Sequence, residues 1–526
     1  MTKGTWQVSS LHGIKVRGSS PRAIVGNQRD ETAARLRHAS RMLPSALVSS
    51  CLKKSSPTRA LLLLLPFATF LARSRIRPSR TMTSSTTITS TAVPKTTSVT
   101  LPKPSPKIAG QAKDVWTIVN EAAAEAQASL PFPVLNLGQG FFSYNPPDFA
   151  IRAAQNALND VSCNQYSHTK GRPSLRKALA AAYEPSFGRK INWETEVVVT
   201  SGANEGMFSA FTAFLSDGDE VIVFEPFFDQ YISNIQLPGG KVVYVPLVPP
   251  PDNDVRTVSS SEWKVDFEDL QSKISPRTKM IVVNSPHNPV GKVFSREELE
   301  KIGQIAVENN IIVLSDEVYD RLYYKPFTRM ATLSPELQQL TLTVGSAGKT
   351  FSATGWRVGW LIGDAELIKY VSAAHTRICF AVNSPLQEAT AVALQEAAKA
   401  ENTFFVDHVE AYKQKFRIFN RIWDELGLTY TDPEGGYFVL VNFSKVKIPD
   451  DYQFPEDVTV GRAKDFQIAY WLIKEIGVVT IPPTEFYLPE HAYLAEKYLR
   501  FAVCKTDDYL EQAVERLRLL KPYIQH

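Results

Sequence analysis

Two short runs, Lys279-Met-Ile-Val-Val-Asn284 and Ile311-Ile-Val-Leu-Ser-Asp316, flank the helical stretch from Ser295 to Glu308, and this strand–helix–strand unit decides how the middle of the chain folds. Each run is apolar almost throughout rather than alternating, the mark of a strand covered on both faces, as in a parallel sheet with helices on either side. The pattern extends in both directions. Upstream lie Glu196-Val-Val-Val-Thr200, Glu220-Val-Ile-Val-Phe224 and Lys241-Val-Val-Tyr-Val245, with an amphipathic helix at Met207 to Leu215; downstream lies the apolar strand Leu340 to Val344. Together these predict a large α/β domain over 156–414, with a mainly parallel central sheet and helices on both faces. From about 415 helices mix with the strand-like runs Gly436-Tyr-Phe-Val-Leu-Val-Asn442 and Tyr498-Leu-Arg-Phe-Ala-Val503, which predicts a smaller α+β domain over 415–526, joined by an N-terminal arm at 111–155. Ligands of open α/β sheets collect beyond the carboxyl ends of the strands, so the polar residues just after these runs are the functional candidates.

The chain has 526 residues, 44% hydrophobic and 21% charged, ample for a soluble protein of two or three domains. Its net charge of +4 is uneven: residues 1–81 carry fifteen Lys and Arg against Asp30 and Glu31 alone, so the remainder is acidic by nine. The basic excess therefore belongs to a leader and gives no reason to expect a nucleic-acid partner. Residues 1–110 read as that leader followed by a linker rich in Ser, Thr and Pro, disordered or cleaved. Its one apolar run, Leu61 to Ala72, is too short for a spanning helix and is broken by Pro66, so no stable membrane insertion is expected. An Arg- and Ser-rich, acid-poor leader suits a mitochondrion; initiation at Met82 would leave a product of the cytoplasm. Cys51, Cys163, Cys379 and Cys504 are widely spaced, and the eight histidines show no ligand spacing, so no metal is expected.

Lys349 lies in Gly345-Ser-Ala-Gly-Lys-Thr-Phe-Ser-Ala-Thr-Gly-Trp-Arg357, directly after an apolar strand, where Gly345 and Gly348 allow backbone and lysine close to a bound group. Such a lysine can form an imine with an aldehyde cofactor if its pKa is lowered; alone, it reads as a solvated lysine in a Gly/Ser loop, and only the surrounding residues overturn that. Asp316 ends a buried run, fit to pair with a pyridinium nitrogen or simply to cap a helix. The segment Ser201-Gly-Ala-Asn-Glu-Gly206 passes from strand to helix, whose opening amides suit an anion. Arg500 interrupts an apolar stretch, an odd place for a charge unless an anion or a structural acid pairs it.

In order along the chain stand Leu135-Asn-Leu-Gly-Gln-Gly140, Asn164-Gln-Tyr166, Asp217-Gly-Asp-Glu-Val-Ile222, Glu225-Pro-Phe-Phe228, Asn284-Ser-Pro-His-Asn-Pro289, Gly291-Lys-Val-Phe-Ser-Arg-Glu-Glu-Leu299, Ser315-Asp-Glu-Val-Tyr319, the Lys349 block and Tyr498-Leu-Arg-Phe501. This set, from about Trp116 to the C-terminus, resembles the fold-type I aminotransferases of class I/II, most closely the group of kynurenine aminotransferase, glutamine transaminase K and cysteine-S-conjugate β-lyase. The resemblance implies pyridoxal 5'-phosphate on Lys349, with Asp316 at its ring nitrogen and Tyr319 and Asn288 at its phenolic oxygen. It further implies Phe228 stacked on the ring, with Ala203, Asn204, Ser346 and Arg357 around the phosphate and Tyr166 reaching the phosphate of the other subunit of a homodimer. Arg500 would grip the substrate carboxylate, and Gly140, Trp116, Phe380 and Phe486 would shape the substrate pocket.

Three positions depart from the kynurenine-type pattern: Asn204 replaces a tyrosine, His287 an asparagine and Ala381 a histidine. These bear on substrate range and leave the lysine, the pyridine carboxylate and the arginine in place. The expected activity is ping-pong transfer of an amino group from kynurenine or another large amino acid to a 2-oxo acid such as 2-oxoglutarate. The alternatives are a cysteine-S-conjugate β-lyase or glutamine transaminase and, from another class, a non-catalytic aminotransferase-like binding protein.

Overall fold

In the computed structural model, residues 101–108 and 113–525 are described; the expectations for the leader up to residue 100 lie outside them. Fourteen strands follow in chain order: β1 Leu135–Asn136, β2 Val197–Thr200, β3 Glu220–Glu225, β4 Lys241–Val248, β5 Val258–Ser259, β6 Lys264–Val265, β7 Thr278–Asn284, β8 Ile312–Asp316, β9 Thr341–Ser346, β10 Gly359–Gly363, β11 Tyr430–Asp432, β12 Phe438–Asn442, β13 Val478–Val479 and β14 Tyr498–Ala502. Eight form one sheet in the order β2-β10-β9-β8-β7-β3-β4-β6. The pairings β9–β8, β8–β7, β7–β3 and β3–β4 are parallel.

The apolar runs are strands because both of their faces are covered. Along β3, Val221 and Val223 enter one core cluster while Ile222 and Phe224 enter another. Along β7, Met280 and Val282 likewise part from Ile281 and Val283. With a strand period of two, this is a sheet between two layers, and each fully buried side chain of this size contributes roughly 1.5–3 kcal/mol. The helix Arg296–Glu308 shows why its segment leaves the sheet. Ser295 and Glu298 form a reciprocal capping box, and Leu299, Ile302, Ile305 and Ala306 recur at helical spacing to bury one face.

The second sheet has the order β14-β12-β11-β5. The N-terminal segment joins the C-terminal part of the chain through β1, which pairs in parallel with β13, and through the Leu137 carbonyl, which accepts from the Ala502 amide at 2.7 Å.

Three details go beyond the sequence reading. The strand β10 is antiparallel to both neighbours, β9 and β2; its Gly-Trp-Leu-Ile-Gly run is five residues long and lies behind a glycine-rich loop, where periodicity is weakest. The expected boundary at 414/415 falls inside one continuous helix, Phe404–Leu426, which ends at Gly427 in the left-handed conformation. And β5, within the expected large-domain range, pairs with β11 of the smaller sheet. Among the described residues, no helix is long and apolar enough to cross a membrane.

The fold fixes one glycine beside the candidate site. A Cβ on Gly345 would stand 2.1 Å from Nε1 of the fully buried Trp360. Gly345→Ala should lower the stability measured by denaturant unfolding by about 1–3 kcal/mol, the cost of overpacking a filled core; an unchanged midpoint would contradict this packing.

Candidate active site

The carboxyl ends of β2, β3, β7, β8 and β9 lead into the loops that wall a cavity of about 470 Å3. Ala203 and Asn204 follow β2, Phe228 follows β3, Asn288 follows β7, Tyr319 follows β8 and Lys349 follows β9; all line the cavity, as does Asp316 itself. Trp116, Gly140 and Arg500 close it from the N- and C-terminal parts of the chain, with Ser346 and Arg357 beside Lys349.

Asp316 is buried, and its Oδ2 accepts a hydrogen bond from the hydroxyl of Tyr231. Burial raises its pKa, opposed by that hydrogen bond, by the Val318 amide and by the charge of Lys349. Among the described residues it has no salt-bridged cation. A protonated ring nitrogen facing it would restore the ionised form, which is what a pyridinium requires. Nearby, Glu317 and Asp320 share the buried guanidinium of Arg329, so their charges are locally neutralised.

Lys349 sits in the short helix Ala347–Thr350. Burial pulls its ammonium down to about 8, with Arg500 and Arg357 also lowering it while Cys504 and Asp316 oppose. Half the amines are therefore neutral near that pH, as a proton-accepting lysine requires.

At the mouth of β2, Gly202 holds φ at 83° and precedes the helix Ala203–Phe214. A Cβ there would lie 2.6 Å from Nη2 of Arg357, so the glycine makes room for a guanidinium over a helix N-terminus. The first amides of a helix have no intrahelical acceptor, and with the arginine they form a cup for an anion such as phosphate. The side chain of Asn204 is held by Asn234, whose Nδ2 donates to Oδ1 at 2.8 Å. Behind the cup, Glu205 accepts from the Ser201 amide at 2.9 Å and the Ser209 hydroxyl at 2.6 Å, and its carboxylate lies 2.9 Å from Nδ1 of the buried His375. With Cys379 these are donor types that could hold a metal ion, their atoms within 4.8 Å of one another; both oxygens of Glu205 are already hydrogen-bonded to the loop and helix they brace.

Arg500 is the unusual charge. It is only 3% exposed and makes no salt bridge among the described residues. Its guanidinium carbon lies over the rings of Phe438, Phe486 and Trp116 at 4.5, 5.0 and 5.7 Å. Nη2 donates to the Gly138 carbonyl at 2.9 Å and Nη1 to Asn288 Oδ1 at 3.3 Å, while Nε has no acceptor. Burial pulls its pKa down to about 10. A guanidinium boxed by aromatic rings, without an acid, and opening on a cavity is a receptor for a small carboxylate.

Most of the residues expected from the sequence are therefore brought together. Phe486 packs on Arg500 behind the cavity wall. Tyr166 and Phe380 are not in the cavity of their own chain: they are 90% and 53% exposed and meet each other edge to face at 5.7 Å. Phe380 turns outward because the helix Ala365–Ile378 ends just before it and its φ is 66°. His287 is buried with Nδ1 unpartnered, and burial holds its imidazole neutral, with its pKa down to about 3.

Sequence reasoning missed Tyr231, Tyr437, Phe438 and Asp229. Asp229 accepts from Nε1 of Trp116 at 3.0 Å. Tyr231 carried one faint signal, its position three residues after Phe228; Tyr437 and Phe438 looked like ordinary strand residues.

The residues present fit pyridoxal phosphate: a lysine of lowered pKa, a buried carboxylate, an aromatic face at Phe228 and an anion cup stand around one cavity. Comparison with known proteins agrees. Residues 133–517 match the family described as aminotransferase class I and II. The probable kynurenine–oxoglutarate transaminase BNA3 of Saccharomyces cerevisiae is 57% identical over 418 residues, 78% of this chain and 93% of its own length. Kynurenine–oxoglutarate transaminase 1 of Homo sapiens is 38% identical over 395 residues, 74% of this chain and 92% of its own. The crystal structure of yeast Bna3p superposes with a TM-score of 0.77, covering 78% of this chain and 97% of that one.

Displacing Arg357 tests the cup. Gly202→Ala should weaken the equilibrium binding of pyridoxal phosphate by about tenfold or more, the loss expected for one charge-assisted contact. Equal affinity in the variant would place the phosphate elsewhere.

Proposed function

The chain belongs to the class I and II aminotransferases, and within that family we propose that it moves the amino group of kynurenine, or of another large aromatic amino acid, to 2-oxoglutarate. That it is a pyridoxal-phosphate-dependent aminotransferase follows from the family; the donor is inferred from the relatives' names and from the aromatic box around Arg500. The unpaired guanidinium of Arg500 is the observation that carries the reading.

Bound pyridoxal phosphate supplies an aldehyde carbon and a ring that withdraws electrons from the substrate Cα. The protein's own groups do the rest. Asp316 would keep a proton on the ring nitrogen. Ala203, Asn204, Ser346 and Arg357, which line the cavity, would hold the phosphate, and Phe228 would support the ring face. Asn288 and Tyr319, which line it too, would hydrogen-bond the phenolic oxygen. Arg500 binds the α-carboxylate of donor and acceptor alike, which explains how one site serves an amino acid and a 2-oxo acid in turn. With the carboxylate fixed, the Lys349 amine would take the proton from Cα and carry it through the transfer. Trp116, Phe438 and Gly140 line the cavity, and the aromatic faces of the first two favour an aromatic side chain.

Tyr166 and Phe380 complete a second, identical cavity in this reading: a homodimer lets Tyr166 reach the partner's phosphate and Phe380 the partner's substrate. Their joint exposure as an aromatic pair supports it. The Arg- and Ser-rich leader supports a mitochondrial location for a product begun at Met1; initiation at Met82 would instead give a cytoplasmic one.

Assay of the loaded enzyme with 2-oxoglutarate against a panel of amino donors should show the highest kcat/KM for kynurenine or an aromatic donor; a preference for small aliphatic donors would refute the donor assignment. Arg500→Met should lower kcat/KM by about a hundredfold for every α-amino acid, since it removes charge-assisted hydrogen bonds to the carboxylate. Its Tm without cofactor should be held or raised, because an unpaired buried charge has gone. A loss confined to one donor would show that Arg500 reads side chains instead.

A further inference from the structure

The amine of Lys349 does not hang free in its cavity. It donates a hydrogen bond to the phenolic oxygen of Tyr437, and that phenol in turn donates to the carbonyl oxygen of Gly140 at 3.0 Å. Three separate parts of the chain meet at one oxygen: the lysine after β9, the residue just before β12 and the N-terminal loop that bounds the cavity.

The direction of these bonds matters. Because the Tyr437 proton is committed to Gly140, the phenol can serve the lysine only as an acceptor. It therefore holds one N–H and leaves the nitrogen lone pair uncapped. The ring itself is fixed: Tyr437 is 1% exposed, meets Tyr319 edge to face at 5.2 Å and stacks on Tyr412 at 6.2 Å. A Cβ on Gly140 would lie 3.1 Å from the phenolic oxygen and from the rings of Tyr437 and Phe438, so this contact is one reason that position is glycine.

We propose that Tyr437 is a positioning residue for the proton transfer: its oxygen orients the Lys349 amine whenever the lysine is not engaged by the cofactor, and anchors the ammonium once the proton has left the substrate Cα. The proton passes from Cα to the lysine nitrogen, and Tyr437 keeps its own throughout. The inference rests on Lys349 as the proton carrier and is independent of which amino donor the enzyme prefers.

The test reads the lysine directly. In cofactor-free protein, the rate at which acetic anhydride labels Lys349, followed by peptide mass spectrometry across pH, gives the midpoint of its amine. The other groups that face it, Cys504, Asp316, Arg500, Arg357 and Tyr319, keep their own side chains in Tyr437→Phe. That variant keeps the ring and removes the acceptor, so the ammonium loses stabilisation and the midpoint should fall by about half to one pH unit. In the loaded enzyme kcat should drop with little change in KM, and the isotope effect of Cα-deuterated donor on kcat should grow. An unmoved midpoint overturns the proposal, whatever happens to turnover. If Tyr437→Phe fails to fold, Gly140→Ala, which pushes the phenolic oxygen aside, should move the midpoint the same way. Failure of the wider assignment would appear separately, as turnover surviving in Lys349→Ala.

Discussion

A guanidinium only 3% exposed, with no salt-bridged acid among the described residues, is the constraint on which the rest of the site depends. Taking such a charge out of water costs several kcal/mol unless something answers it. Here three aromatic faces, the Gly138 carbonyl and Asn288 answer it in part, and Nε is left over. The same cavity holds the opposite problem in Asp316, a buried carboxyl without a salt-bridged cation. A substrate carboxylate for one and a pyridinium for the other resolve both, and each resolution places a reacting atom near Lys349. The site is costly when empty and complete when filled, which is how binding energy becomes orientation.

The sheet makes that arrangement possible. Strands covered on both faces need little from their own polar residues, so the polar positions collect where the runs stop, at Thr200, Glu225, Asn284, Asp316 and Ser346. One end is also tied to the segment that leads into β14: Glu225 accepts from the Leu488 amide at 2.5 Å and pairs with His491. Arg500, on β14, is thereby brought to a cavity whose other walls come from the large sheet. The antiparallel β10 lies between β9 and β2, so its loop delivers Arg357 to the helix that begins at Ala203.

The sequence disclosed what is local. Asp316 and Arg500 were legible because a charge beside an apolar run breaks a pattern, and Lys349 because its glycines and its arginine eight residues on form a block. The helix at 296–308 was legible because Ser295 and Glu298 stand at capping distance. What periodicity does not carry is contact through space. Tyr437 reads as the start of a strand, and its bond to Lys349 spans 88 residues of chain; Tyr231 reaches Asp316 across 85. Phe380 matched a pocket position by its block, yet in its own chain it faces out beside Tyr166, since a pattern does not say whose pocket a residue serves. The 414/415 boundary falls inside a helix of 23 residues, whose extent a composition change does not reveal.

In the proposed reaction the chain transfers an amino group in two separate halves, with Lys349 moving the proton in each. Mixing the loaded enzyme with its best amino donor, without any 2-oxo acid, measures this most directly. Such transfer requires one equivalent of 2-oxo product per active site, after which the reaction stops until an acceptor is added. Product that continues to accumulate without acceptor, as pyruvate and thiol would from a cysteine S-conjugate, would contradict transfer as the principal activity; no product at all would contradict the enzyme itself.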